Sequence, residues 1–261
     1  MIPLPTHRLI LSFTILILSQ AGMSGLAQDP DQVISAIDTH STSDPEGRNA
    51  FTFDRSDFET SGEERAALPI GVFDSGIGGL TVLEALLTAD HFDNETLKPG
   101  PDGEPDFKNE RFIYLGDQAN MPYGNYSREG KSDYLRELIL KDATFLLGNR
   151  YRSSPTSEPS FDKPPVKAIV IACNTATAFG LEDMREVMKR WNLSVPVIGV
   201  VEAGARALLE DEEKSEEAIG VLATVGTCAS EVYPRTIQST LGRAGRGVAT
   251  SPSLEVLTSP R

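Results

Sequence analysis

Apolar residues along this chain fall into short runs whose spacing alternates between two periods, and that alternation predicts the fold. Residues 70–73 form a continuous apolar run of strand length, and residues 80–87 after it repeat at helical spacing. The pattern recurs, with strands expected over 111–115, 166–172, 195–200 and 218–223, and helices over 127–147, 177–191 and 203–209. Strands alternating with helices predict an α/β fold, a parallel sheet with helices on both faces. Residues 90–109 and 153–165, rich in Pro, Asp and Ser, interrupt the pattern and read as surface insertions. Ligands of such sheets bind beyond the carboxyl ends of the strands. The residues to inspect are therefore 74–76, 116–117, 173–175, Glu202 and 224–227.

The ends of the pattern differ from its middle. Residues 9–18 are a ten-residue apolar run behind a short segment containing Arg8, and Gly25-Leu26-Ala27 follows. This predicts a signal peptide over 1–27 and an exported, periplasmic protein. The run is shorter than the roughly 20 residues that span a bilayer, so no stable membrane insertion is expected after cleavage. If the start site is mis-assigned, the protein is cytoplasmic. Residues 28–69 are acidic and carry no clear period, which predicts a disordered linker. The net charge of -14 argues against nucleic acid, which requires clustered Lys and Arg. Two cysteines make no disulfide framework, and with His7, His40 and His91 they do not make a closed zinc site.

Two strand-end motifs carry candidate chemistry. Asp74-Ser75-Gly76-Ile77-Gly78-Gly79 opens a helix, where glycines permit close backbone approach and the helix N-terminus favours an anion. It has neither the dinucleotide nor the P-loop spacing, and Asp74 would repel a phosphate, so a carboxylate is the better ligand; a plain glycine turn is the other reading. Cys173-Asn174-Thr175-Ala176-Thr177 puts a cysteine at a helix start, where the dipole and backbone N–H groups favour thiolate over thiol. Asn174 and Thr175 add donors for a carboxylate. The alternative is a buried structural cysteine.

Residues 70–88, 113–124, 169–178, 196–206 and 219–233 resemble successive motifs of the aspartate/glutamate racemase family, in order and in position after strands. The resemblance implies a pair of similar α/β domains, here 70–202 and an incomplete second from 203 to 261. It also implies an isomerase of glutamate, with aspartate as the alternative, that needs no cofactor and supplies D-glutamate for peptidoglycan. Cys173 and Asp74 would be catalytic. Asp74, Ser75, Tyr123, Gly124, Asn174, Thr175, Thr224 and Thr227 would bind the substrate. Family members are often dimers, so a homodimer is compatible with the resemblance.

One family element is missing from this chain: a Gly-Cys-Thr-His-Tyr-Pro segment bearing the second cysteine. Cys228 directly follows residues 224–227, within the 219–233 motif and ahead of that place, and no histidine follows His91. The expectation is a truncated racemase, weakly active or inactive. A non-catalytic binder of acidic amino acids is the competing reading.

Overall fold

The computed structural model of the chain describes residues 30–42, 52–59, 62–210 and 221–243. At its centre are four parallel strands, β1 (Ile70–Asp74), β2 (Phe112–Gly116), β3 (Ala168–Ile171) and β4 (Val197–Gly199), in the spatial order β2-β1-β3-β4. Their sequences are almost wholly apolar because both faces of the sheet are covered over β1 to β3, while Ile198 of β4 stays exposed. Phe73, Ile113, Leu115, Ile169 and Ile171 pack on one face against helices α5 (Ser132–Leu147) and α6 (Asn174–Arg190). Val72, Phe112 and Tyr114 face the other way, toward α3 (Leu80–Thr88). The expected architecture is therefore present.

Within it, α5 and α6 are the best-buried helices. Ten residues of α5 are buried, and Arg136 on it forms a fork to Asp183 of α6, with Nε–Oδ2 and NH2–Oδ1 distances of 2.5 and 2.7 Å. A paired, half-hidden guanidinium of this kind fixes the relative rotation of two helices better than an exposed ion pair does. The expected helix over 127–147 is split in two, α4 (Gly124–Arg128) and α5, with Gly130 at φ 70° in the break.

Three expectations need correction. The segment 28–69 is not wholly a disordered linker, because residues 30–42 form helix α1 (Pro30–Thr42), with Val33, Ile34 and Ile37 only 2–3% exposed in the core. Each such aliphatic chain contributes about 2 kcal/mol when buried. The acidic composition of the segment hides this i, i+1, i+4 stripe. A short helix, α2 (Gly62–Ala66), then leads into β1. Residues 221–224 are not a strand; Leu222 is 96% exposed and the chain runs on into α8 (Val225–Ala229). The rest of that expected strand, 218–220, lies outside the described residues, as does the expected signal peptide. Finally, the insertion at 153–165 is not all surface. Lys163 is buried, its ammonium donating to the Leu146 and Pro164 carbonyls at 3.1 and 3.3 Å over the Phe145 ring.

Beyond β4 the chain enters α7 (Val200–Glu210), and α8 and α9 (Val232–Arg243) fold back onto it and onto α4 and α6. The described part of 203–261 thus packs on the first domain; 211–220 and 244–261 lie outside the described residues. Among the described residues, no helix is long and apolar enough to cross a membrane.

Candidate active site

Register brings the chemistry together. Asp74 pairs with Gly116 and Phe73 with Ile171, so β1, β2 and β3 end at one level. The ladder runs on one step, from Ala172 N to the Phe73 carbonyl at 2.7 Å and from Asp117 N to the Asp74 carbonyl at 2.9 Å. The loop after β1 then lies directly on these strand ends. At Gly79 a Cβ would stand 2.7 Å from Asp74 Cβ and 2.8 Å from Ala172 Cβ, so no larger residue fits without movement. That closeness lets the Gly79 N–H donate to Asp74 Oδ2 at 2.9 Å and holds the carboxylate in place. Tyr114 supports the same loop from below, its hydroxyl donating to the Gly76 carbonyl at 2.9 Å. Burial, and the charge of Asp74 next, push the Tyr114 phenol well above its usual range, so it stays a donor.

Cys173 leads into α6 as its N-cap residue, and its sulfur accepts from the Ala176 N–H at 3.4 Å. Ser75 Oγ lies 3.4 Å from the same sulfur. With 7% exposure the thiol is largely out of water. Burial pushes its pKa up; the Ser75 and Ala176 hydrogen bonds pull the other way, and the charge of Asp74 pushes up again. The net direction is upward. This corrects the expectation that the helix start favours thiolate: desolvation outweighs the backbone donors, and the resting sulfur is a thiol.

Next to the thiol is a ring of three hydroxyls. Thr175 Oγ1 lies 3.1 Å from Thr227 Oγ1 and 3.4 Å from Thr224 Oγ1, and these last two are 3.0 Å apart. Thr224 caps α8 by accepting from the Thr227 N–H at 3.3 Å. Gly124 faces Thr224 so closely that a Cβ there would meet its side chain at 3.2 Å. Asn174, exposed beside Cys173, accepts at Oδ1 from the Tyr233 hydroxyl of α9 at 2.6 Å. Thus Asp74, Ser75 and Cys173 form one cluster, and Gly124, Thr175, Thr224 and Thr227 a second one adjoining it through Thr175, two residues along the chain. Residues 151–259, which contain Cys173 and the threonine ring, match the Asp/Glu/Hydantoin racemase family model.

The chain is similar to aspartate/glutamate racemases. It is 35% identical over 190 residues to a glutamate racemase of Limosilactobacillus fermentum, covering 72% of this chain and 55% of that one. A glutamate racemase of Thermus thermophilus is 38% identical over 177 residues, 67% of this chain and 51% of its own length. A solved glutamate racemase from Campylobacter jejuni subsp. jejuni aligns with a TM-score of 0.46 and 31% identity, over 66% of this chain and 52% of that one. The chain spans about half the length of the curated relatives it matches.

One expected substrate ligand lies elsewhere. The Tyr123 side chain is 1% exposed, and its hydroxyl sits between Asp117 Oδ2 at 2.6 Å and Asp142 Oδ2 at 2.8 Å. A phenol has one hydrogen, so two carboxylates around it require a second proton. Asp142 holds it: complete burial, reinforced by the Asp117 charge, pushes its pKa well above the ordinary carboxylate value. Asp117 also accepts from Asn120 Nδ2 at 2.9 Å to each oxygen. Tyr123 therefore anchors the 117–124 segment instead of reaching ligand with its hydroxyl. Sequence reasoning missed this network, together with Tyr114 and Tyr233. Glu202, noted for its place after a strand, is engaged by Arg185 through two hydrogen bonds of 2.8 and 2.6 Å. Among the described residues, no group of three or more His, Cys, Asp and Glu side chains is arranged to hold a metal ion.

Proposed function

We propose that this chain performs the Cα proton transfer of a cofactor-independent glutamate racemase, with Cys173 as the base and Asp74 as its partner, contributing D-glutamate to peptidoglycan synthesis. One observation carries the reading: Ser75 Oγ and the Cys173 sulfur lie 3.4 Å apart at the strand ends, on the loop whose carboxylate, Asp74, is fixed by the Gly79 N–H. The relatives named glutamate racemase support glutamate as the substrate.

The chemistry follows from the side chains. The Cα–H bond of an amino acid is a very weak acid, so its base must be strong and its carbanion stabilised by fixed donors. A cysteine whose pKa is raised by burial is a scarcer thiolate but a stronger base. The thiolate takes the Cα proton, forming an S–H bond and leaving the electron pair on carbon and the adjoining carboxylate. Ser75, Gly124, Asn174, Thr175, Thr224 and Thr227 supply the hydroxyl, amide and backbone groups that hold the carboxylates and ammonium. Returning the proton from the same sulfur restores the starting isomer. Inversion needs a proton delivered to the opposite face.

The test is the Cys173→Ala variant of the full chain with L-glutamate in D2O. Loss of Cα deuterium incorporation by about 100-fold or more, the usual worth of a positioned base, is expected, with glutamate affinity retained in calorimetry. Undiminished exchange in the variant would rule out Cys173 as the base. An unaltered chain that binds glutamate but exchanges nothing is a binding protein.

A further inference from the structure

We propose that Tyr233 is a positioning residue that fixes the Asn174 side-chain amide with its donor end free for a substrate carboxylate. The inference rests on the function proposed above and extends it to a residue 59 positions further along the chain, on a different helix.

The Tyr233 hydroxyl donates to Asn174 Oδ1 at 2.6 Å. An amide has an acceptor end and a donor end, and occupying the first decides what the second presents. Asn174 Nδ2 makes no hydrogen bond to the described residues, so its two hydrogens are the unspent polar groups on an exposed side chain next to Cys173. Turned over, the same amide would offer a carbonyl oxygen and repel a carboxylate. Tyr233 thus sets which sign of charge the amide can receive.

The phenol is itself held. Burial raises its pKa above the ordinary tyrosine value, which keeps it a donor across the neutral range. Its place at the start of α9 is tied to the threonine ring by a short relay. Ser230 Oγ donates to the Thr227 carbonyl at 2.7 Å and accepts from the Val232 N–H at 3.3 Å. Glu231 between them adopts φ 53°, the left-handed turn that separates α8 from α9. Val232, adjacent to Tyr233, lines a cleft of about 320 Å³ with Phe179 and Val201, and Ile237 one turn on is buried. Removing the hydroxyl alone leaves that packing intact.

The experiment uses the full chain and L-glutamate, reading KM and kcat for Cα deuterium exchange. Tyr233→Phe is expected to raise KM on the order of tenfold, the size of one hydrogen bond to a charged group, with kcat changed less than about threefold. In an Asn174→Ala background the same substitution should change nothing further, because the amide it orients is gone. Asn174→Asp, which keeps an acceptor for Tyr233 but replaces the free donor with an oxygen, should abolish measurable glutamate saturation. A KM unmoved by Tyr233→Phe, an equal penalty in both backgrounds, or an Asn174→Asp variant that still saturates with glutamate overturns the assignment. The function proposed above fails by a different sign: an unaltered chain without exchange, or exchange that survives Cys173→Ala.

Discussion

At the scale of single residues, the site is governed by desolvation. Cys173 has two hydrogen bonds that favour its anion, from Ser75 and the Ala176 N–H, yet burial moves its pKa upward. Below that raised value each pH unit multiplies the thiolate fraction tenfold. The Cα exchange rate should therefore keep climbing above pH 8, past the point where an exposed, activated thiolate would have levelled off. A plateau reached below pH 8 in a rate–pH profile would contradict this account. Asp74 and Cys173 were legible in the sequence because each directly follows an apolar run and stands beside Ser, Gly, Asn or Thr. Tyr114 and Asp142 were not, since in sequence each sits within an element as one more position of a strand or helix. What gives them a role is a partner brought near by the fold: Gly76 for Tyr114, Tyr123 for Asp142.

At the scale of elements, the glycines of the loop after β1 are not equivalent. A Cβ at Gly79 would press into Asp74 and Ala172 at 2.7 and 2.8 Å, whereas one at Gly78 would meet only Asp74 Oδ2 at 3.8 Å, an ordinary contact. Gly79→Ala should destabilise the fold by about 1–3 kcal/mol, the usual cost of overpacking, and depress exchange. Gly78→Ala should be near neutral in both. Chemical denaturation and the deuterium assay applied to the pair would decide it, and equal behaviour of the two variants would refute the packing argument. The strands and most helices were readable from apolar spacing, with boundaries shifted by a few residues. Four helices, α1, α2, α8 and α9, were not. Helix α1 has its three core contacts, Val33, Ile34 and Ile37, in a segment dominated by acids and hydroxyls. Helix α9 has Pro234 in its first turn and one buried anchor, Ile237, and its bond to Asn174 spans two intervening helices.

At the scale of the whole molecule, stability carries a charge that the core does not want. Lys163 is buried with carbonyl oxygens and a ring for company, and burial lowers its pKa to about 7 from the ordinary 10.5. Between those values the unfolded chain binds a proton that the folded chain releases. This group therefore makes stability rise with pH across that window, and the contribution is lost as pH falls from 10.5 to about 7. Lys163→Met should accordingly be more stable than the unaltered chain at pH 6, by a few kcal/mol at most, with the difference shrinking toward pH 10. Urea unfolding at the two pH values checks the sign, and a variant less stable at pH 6 than at pH 10, relative to the unaltered chain, would reverse it. The sequence offered no sign of this burial, because the Pro and Ser around Lys163 read as a loop.

The shelter around Cys173 has a chemical effect apart from proton transfer. Peroxides and alkylating electrophiles attack sulfur as its anion and need a line of approach. A sulfur that is 7% exposed and protonated at rest gives them neither. Under the function proposed above, the agent best able to draw out the reactive form is a substrate seated at the strand ends, so the sulfur is spared while the site is empty.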